Sequence, residues 1–224
     1  MAGLDALRWG PASKATPRQL VVLCHGLGAD SHDLIDLAHA WSDACPDAVF
    51  ASVDAPFRHD SGFGRQWWSV ADRTPSVMAA GARTAMPYLD EFIDAECARV
   101  GVTDYAIMGF SQGAMISLFT GLRRKAAPRA ILAYSGALLA PETLVDELAN
   151  RAQVLIVHGE DDDAVPVFRS RDAEAALKAA GVPVDAHYIP RLGHGLDDTG
   201  LSLGALALQR GFAQRGSAPG ASGA

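Results

Sequence analysis

Six short runs rich in Val, Ile and Leu, at positions 20–24, 49–53, 105–108, 130–134, 154–157 and 184–189, are separated by longer segments of helical periodicity. A run of about five residues with almost no polar positions has no face to offer to water, so it must be covered on both sides. Strands of that kind, alternating with helices, assemble into a parallel sheet with helices packed on each face. The expected fold is therefore α/β, a mostly parallel, doubly wound sheet of six or more strands.

The intervening segments support this reading. Ser31 is placed to cap a helix whose apolar residues Leu34, Ile35, Leu37, Ala38 and Trp41 share one side. Met86, Leu89, Ile93, Cys97 and Val100 recur every three or four residues, Gly101 stops that helix, and Pro87 starts or kinks it. A third helix is expected over 167–180, ended by Gly181 and leading into the strand at 184. Residues 56–76, with Gly62, Gly64 and the paired Trp67 and Trp68, lack periodicity and read as a long excursion over one sheet edge.

With 224 residues, 49% of them hydrophobic, the chain can fill one substantial core, so a single domain is expected over 1–215. The tail at 216–224 contains only Gly, Ser, Ala and Pro and is expected to be disordered. A formal net charge of -7 leaves no surplus of cations to displace counterions from a phosphate backbone, which argues against nucleic acid as a partner. No basic segment and apolar run open the chain, and no stretch approaches the ~18 apolar residues of a membrane span. A soluble, cytoplasmic protein is expected. Cys24, Cys45 and Cys97 are odd in number and widely spaced, which fits reduced core residues better than a disulfide or zinc framework.

The chemistry centres on Gly109-Phe110-Ser111-Gln112-Gly113. Gly-x-Ser-x-Gly alone is a weak signal, but here it follows the apolar run at 105–108 and opens onto the helix-forming Ala114-Met115-Ile116-Ser117-Leu118-Phe119. Strand, sharp turn and helix are the context of a nucleophile elbow, and the flanking glycines suit its crowded backbone. The turn sets Ser111 at the amino end of a helix, where N–H groups and the helix dipole favour developing negative charge.

A serine hydroxyl needs a base, and the base needs a carboxylate to orient it, in the chain order serine, acid, histidine. Of the histidines after Ser111, His187 sits inside an alternating strand, whereas His194 lies just beyond that strand in Arg191-Leu192-Gly193-His194-Gly195. His194 is the expected base. The acid should follow the run at 154–157, where Glu160, Asp161, Asp162 and Asp163 stand together and composition does not choose among them. They lack the alternating ligand spacing of a calcium loop. The residues call for no metal and no organic cofactor.

Four motifs in order, Leu23-Cys24-His25-Gly26-Leu27-Gly28, the Ser111 motif, His158-Gly159 with Val165-Pro166, and Gly193-His194, resemble the phospholipase/carboxylesterase family of α/β-hydrolases. The resemblance runs from about residue 20 to the last helix. It implies an α/β-hydrolase fold without a separate lid domain, and Asp162, three before Val165-Pro166, as the acid. It also implies an oxyanion hole made by the backbone N–H groups of Leu27 and Gln112. Arg65-Gln66-Trp67-Trp68-Ser69 is similar to a segment that precedes the substrate pocket in that family, so Trp67 and Trp68 are candidate pocket walls or else pins that hold the long loop to the body, and Ser69 departs from the usual acid.

The expected activity is cleavage of a carboxylic ester by a Ser111, Asp162, His194 triad, with lysophospholipase or acyl-protein thioesterase chemistry as the alternative. The expected partner is a small-molecule ester or thioester; a homodimer is compatible with these features. A catalytically silent hydrolase fold that only binds ligand is the reading from a different class. Gly26-Leu27-Gly28 lacks the third glycine of a dinucleotide loop, with Ser31 at that place.

Overall fold

A computed structural model describes residues 3–213. The expected disordered tail at 216–224 lies outside the described residues. In chain order the elements are β1 (Ala6–Trp9), β2 (Gln19–Cys24), α1 (Leu37–Trp41), β3 (Ala48–Val53), β4 (Phe57–Arg58), β5 (Arg65–Gln66) and α2 (Pro75–Val100). They continue as β6 (Tyr105–Phe110), α3 (Gln112–Arg123), β7 (Ile131–Tyr134), α4 (Leu144–Glu147), β8 (Val154–Gly159), α5 (Phe168–Ala179), β9 (Val184–Ile189) and α6 (Asp198–Ala213).

Seven strands form one sheet in the order β1-β3-β2-β6-β7-β8-β9. All neighbours are parallel except β1, which pairs antiparallel with β3 at the edge. This is an α/β-hydrolase architecture, and the alternation of residues along β2 shows how it is double-wound. Leu20, Val22 and Cys24 face a core built with Leu89 and Ile93 of α2 and with Ile116 and Phe119 of α3. Val21 and Leu23 face the opposite side, with Ala38 and Trp41 of α1 and Leu208 and Phe212 of α6. Each Val, Leu, Ile or Phe among them that is fully withdrawn from water contributes roughly 1.5–3 kcal/mol. Among the described residues no helix is long and apolar enough to cross a membrane.

Three local expectations change. Residues 31–36 form turns, and the helix spans only Leu37–Trp41. Ser31 does not cap it; its N–H donates instead to Oδ1 of Asp54 at 2.7 Å. The periodic residues still serve their purpose, since Leu34, Ala38 and Trp41 are buried. Pro87 does not start a helix: α2 begins at Pro75 and passes through Pro87. Pro87 and Arg83, whose carbonyl loses its partner at that point, are both exposed, so water can satisfy the freed oxygen. Residues 56–76 are not wholly irregular. They contain the β4–β5 hairpin, paired Phe57 with Gln66 and Arg58 with Arg65, and the start of α2.

The hairpin is bonded to the loop after β2 and so fixes its course. Gly28 N–H donates to Arg65 O at 2.8 Å and Arg65 N–H donates to Ala29 O at 2.8 Å. A Cβ on Gly64 would come within 1.9 Å of Gly28 O, so only glycine permits that approach.

Candidate active site

Strand β6 ends at Phe110 and α3 begins at Gln112, leaving Ser111 alone on the corner with φ 55° and ψ -118°. A non-glycine residue in such a conformation costs about 1–3 kcal/mol, and the surroundings must hold it there. They do so through the backbone: Ser111 N–H donates to Tyr134 O at 2.9 Å, and Ser111 O accepts from Ala114 and Met115 at 3.0 and 3.2 Å. The two glycines of the motif are required by space. A Cβ on Gly109 would lie 2.1 Å from Gly113 O, and one on Gly113 would lie 1.9 Å from Cys24 O.

The other two residues arrive from neighbouring strand ends. His194, in the loop between β9 and α6, has Nε2 3.0 Å from Ser111 Oγ and Nδ1 2.7 Å from Oδ2 of Asp162. The Phe110 ring lies against the imidazole, with centroids 4.8 Å apart. Asp162, in the loop after β8, turns its second oxygen toward the backbone: Oδ1 accepts from Ala164 N–H at 3.0 Å and Val165 N–H at 2.8 Å. Of the four consecutive acids only Asp162 is buried, while Glu160, Asp161 and Asp163 are exposed. Burial by itself would raise the Asp162 carboxyl, but hydrogen bonds from His194 and the Val165 N–H outweigh it and hold the pKa below its ordinary value.

Leu27 and Gln112 border the same cavity as Ser111 and His194. Gln112 is the first residue of α3, so its N–H has no acceptor within the helix. Leu27 belongs to a loop fixed by a residue whose part the sequence motifs do not reveal, His25. This side chain is fully buried; its Nε2 accepts from Ala55 N–H at 3.0 Å, so Nδ1 bears the hydrogen and donates to Gly26 O at 2.7 Å. Burial holds His25 below the ordinary histidine pKa, consistent with a neutral ring spanning two segments of chain. The loop passes close to the serine, since a Cβ on Gly26 would stand 3.3 Å from Ser111 Cβ.

Gln112 also contributes more than its backbone. Its buried amide accepts from Trp67 N–H at 2.9 Å and donates to Trp68 O at 2.8 Å. The only hint in the sequence is a long polar side chain at the head of a mostly apolar helix. Trp67 and Trp68 themselves do not line the cavity. Trp67 is fully buried and donates from Nε1 to His25 O at 3.0 Å, and Trp68, 4% exposed, points its Nε1 at Met78 Sδ. Both belong to the core beneath the site, because the Gln112 clamp draws this segment inward. Of the two expected roles, walling the pocket and pinning the segment to the body, their burial fits the second.

The cavity holds about 710 Å³, and its walls are largely apolar, with Leu27, Val70, Met78, Met115, Leu138 and Val165 among them. Arg73, Glu142, Arg169 and Asp172 stand around it. That volume suits a small organic ligand with a substantial apolar part. A serine oxygen, an imidazole and a carboxylate in series at its floor can pass a proton away from the oxygen and return it. Among the described residues no group of three or more His, Cys, Asp or Glu side chains is arranged to hold a metal ion.

Known proteins are similar to this chain in sequence and fold. The chain is 27% identical over 189 residues to esterase YpfH of Escherichia coli, covering 83% of this chain and 80% of that protein. It is 26% identical over 193 residues to acyl-protein thioesterase 1 of Gibberella zeae, covering 78% of this chain and 82% of that one. The crystal structure of esterase PE8 superposes with a TM-score of 0.87 at 36% identity, over 93% of this chain and 99% of that one. The model of the phospholipase/carboxylesterase family matches residues 11–204. The chain belongs to the phospholipase/carboxylesterase family of α/β-hydrolases.

Proposed function

We propose that this protein is a serine hydrolase that cleaves carboxylic esters through an acyl-enzyme, with Ser111 as nucleophile, His194 as general base and acid, and Asp162 as the orienting carboxylate. The observation that carries this reading is the continuous series Ser111 Oγ, His194 Nε2 at 3.0 Å, His194 Nδ1 and Asp162 Oδ2 at 2.7 Å, opening onto an apolar cavity. The names of two similar proteins, esterase YpfH and esterase PE8, support it.

Ser111 Oγ attacks the ester carbonyl carbon as its proton passes to His194 Nε2, and Asp162 stabilises the imidazolium so formed. The carbonyl oxygen, now anionic, turns toward the N–H groups of Leu27 and Gln112, each such donor contributing about 3 kcal/mol in the transition state. The C–O bond to the leaving alcohol breaks as His194 returns the proton to it. Water then repeats the sequence on the acyl-serine, releasing the acid and restoring Ser111.

The same steps cleave a thioester, with a thiol as leaving group. The similarity to acyl-protein thioesterase 1 supports that second reading. Turnover of a short-chain aryl ester by wild type and Ser111→Ala tests the proposal: the variant should lose turnover by several orders of magnitude. Comparable turnover in both would refute it. A matched ester and thioester series of increasing acyl length then separates the two substrate classes.

A further inference from the structure

One buried ionisable side chain beside the site has no task in the proton transfers between Ser111, His194 and Asp162. His158, near the end of strand β8, is 1% exposed, and its Nε2 lies 3.0 Å from Asp162 Oδ2, the oxygen that also meets His194. The same Nε2 is 2.7 Å from Val165 O. Both neighbours are acceptors, so Nε2 must carry a hydrogen; its hydrogen bond goes to Val165 O, and Asp162 Oδ2 is a second, ion-pair contact of the same N–H. Nδ1 lies 2.7 Å from Ser170 Oγ of α5, which in turn is 3.1 Å from Gly136 O just beyond the end of β7.

We propose that His158 is a positioning residue for the reaction, its Nε2–H, anchored on Val165 O and shared with Asp162 Oδ2, keeping that oxygen in line with His194 Nδ1. This rests on the reading of Asp162 as the catalytic acid. The carboxylate is then met at both oxygens: two backbone N–H donors on Oδ1, and on Oδ2 the hydrogen bond from His194 and the longer contact of the His158 N–H.

The two imidazoles are not equivalent. His194 sits on a loop with its side chain 22% exposed and must exchange protons with Ser111 and the leaving group. His158 is anchored in a central strand with its side chain fully buried. Whenever His194 turns toward a leaving group, the Asp162 side chain, itself fully buried, would be left with one oxygen unpaired in a medium that penalises bare charge. The fixed donor prevents this and keeps the carboxylate from rotating.

The charged groups facing His158 are Asp162, from its own loop, and His194, from the loop after β9; Ser170 on α5 is neutral. Burial, the largest influence, and the nearby His194 both push the His158 pKa down, against the Val165 carbonyl and Asp162. A neutral His158 leaves the charge of Asp162 free to stabilise a single imidazolium, that of His194. Because His158 does not border the cavity, its influence belongs in kcat and in the pH profile, not in KM.

The test compares wild type, His158→Phe, His158→Gln and Asp162→Asn on one aryl ester across pH. Loss of one hydrogen bond to a charged group predicts a fall in kcat of about 10-fold to 100-fold for His158→Phe, with KM within about twofold. The acid limb of its profile should move upward, since Oδ2 then serves His194 alone. His158→Gln, which keeps an amide donor at that place, should recover most of kcat and return the limb. A purely structural role would lower thermal stability in His158→Phe but leave the limb in place.

Wild-type kcat and an unshifted limb in His158→Phe, with Asp162→Asn inactive, would overturn the inference alone. Full activity in Asp162→Asn would instead overturn the assignment of the acid. Nitrogen-15 NMR of histidine-labelled wild type tests the premise without any variant. His158 should carry hydrogen on Nε2 near neutral pH, and a bare Nε2 would overturn the proposal.

Discussion

Replacing Asp162 by asparagine changes one oxygen to an amide nitrogen with little change of shape, and the contacts around it determine the result. The side chain accepts from Ala164 and Val165 N–H on Oδ1 and faces His194 Nδ1 and His158 Nε2 on Oδ2. Asparagine has a single acceptor atom. If that oxygen turns to the histidines, the NH2 group confronts two backbone donors, and each donor left unpaired costs about 1–3 kcal/mol. The favoured orientation therefore keeps the oxygen on the backbone and presents NH2 to His194. Nδ1 must then accept, the ring hydrogen moves to Nε2, and the face that meets Ser111 Oγ at 3.0 Å has no lone pair for the serine proton.

Loss of the base tautomer and of the charge opposite the imidazolium corresponds to a fall in kcat of roughly 10⁴-fold, about 5.5 kcal/mol. The assay is steady-state hydrolysis of a short-chain aryl ester, run beside circular dichroism to show that the fold is retained. Activity of the folded variant within tenfold of wild type would refute the reasoning.

Other perturbations reach the same site from different directions. Gly113→Ala places a methyl group 1.9 Å from Cys24 O and 2.6 Å from His25 O, so thermal melts should show strong destabilisation, whereas Gly195→Ala meets nothing within 4 Å and should melt like wild type. Gln112→Leu removes both bonds to the Trp67 and Trp68 backbone while keeping its own N–H, and denaturant unfolding should register a loss of about 1–3 kcal/mol. His25 and His158 both have folded pKa values below the ordinary 6.5, principally through burial. The unfolded chain therefore binds protons that the folded chain does not, and melting temperature should drop as pH falls below 6.5. A melting temperature that is flat from pH 7 to pH 5 would contradict both assignments.

The strands buried on both faces were legible because an apolar run leaves few other folds open, and the elbow was legible because its demands are local. Strand β1 was not. Ala6, Leu7, Arg8 and Trp9 form a partly exposed antiparallel edge, and part of what secures it is far away in sequence, Arg8 Nε donating to Glu96 at 2.8 Å. The acid illustrates the same limit. Glu160 to Asp163 are chemically alike, so composition does not choose among them; the motif resemblance points to Asp162, and the fold sets it apart by burying it against two backbone donors. Trp67 and Trp68 read as pocket walls or as pins in the sequence because large aromatics serve cores and pockets equally well; a buried glutamine decides which. His25 and His158 appeared as letters in loop motifs, and neither their burial nor their partners could be deduced from spacing.

The central claim is that Ser111 is a nucleophile made reactive by this arrangement, and a fluorophosphonate probe with peptide mapping by mass spectrometry tests it most directly. Wild type should take up one phosphonyl group, located on Ser111, and Ser111→Ala should take up none. A label on any other residue, or equal labelling of the variant, would contradict the account.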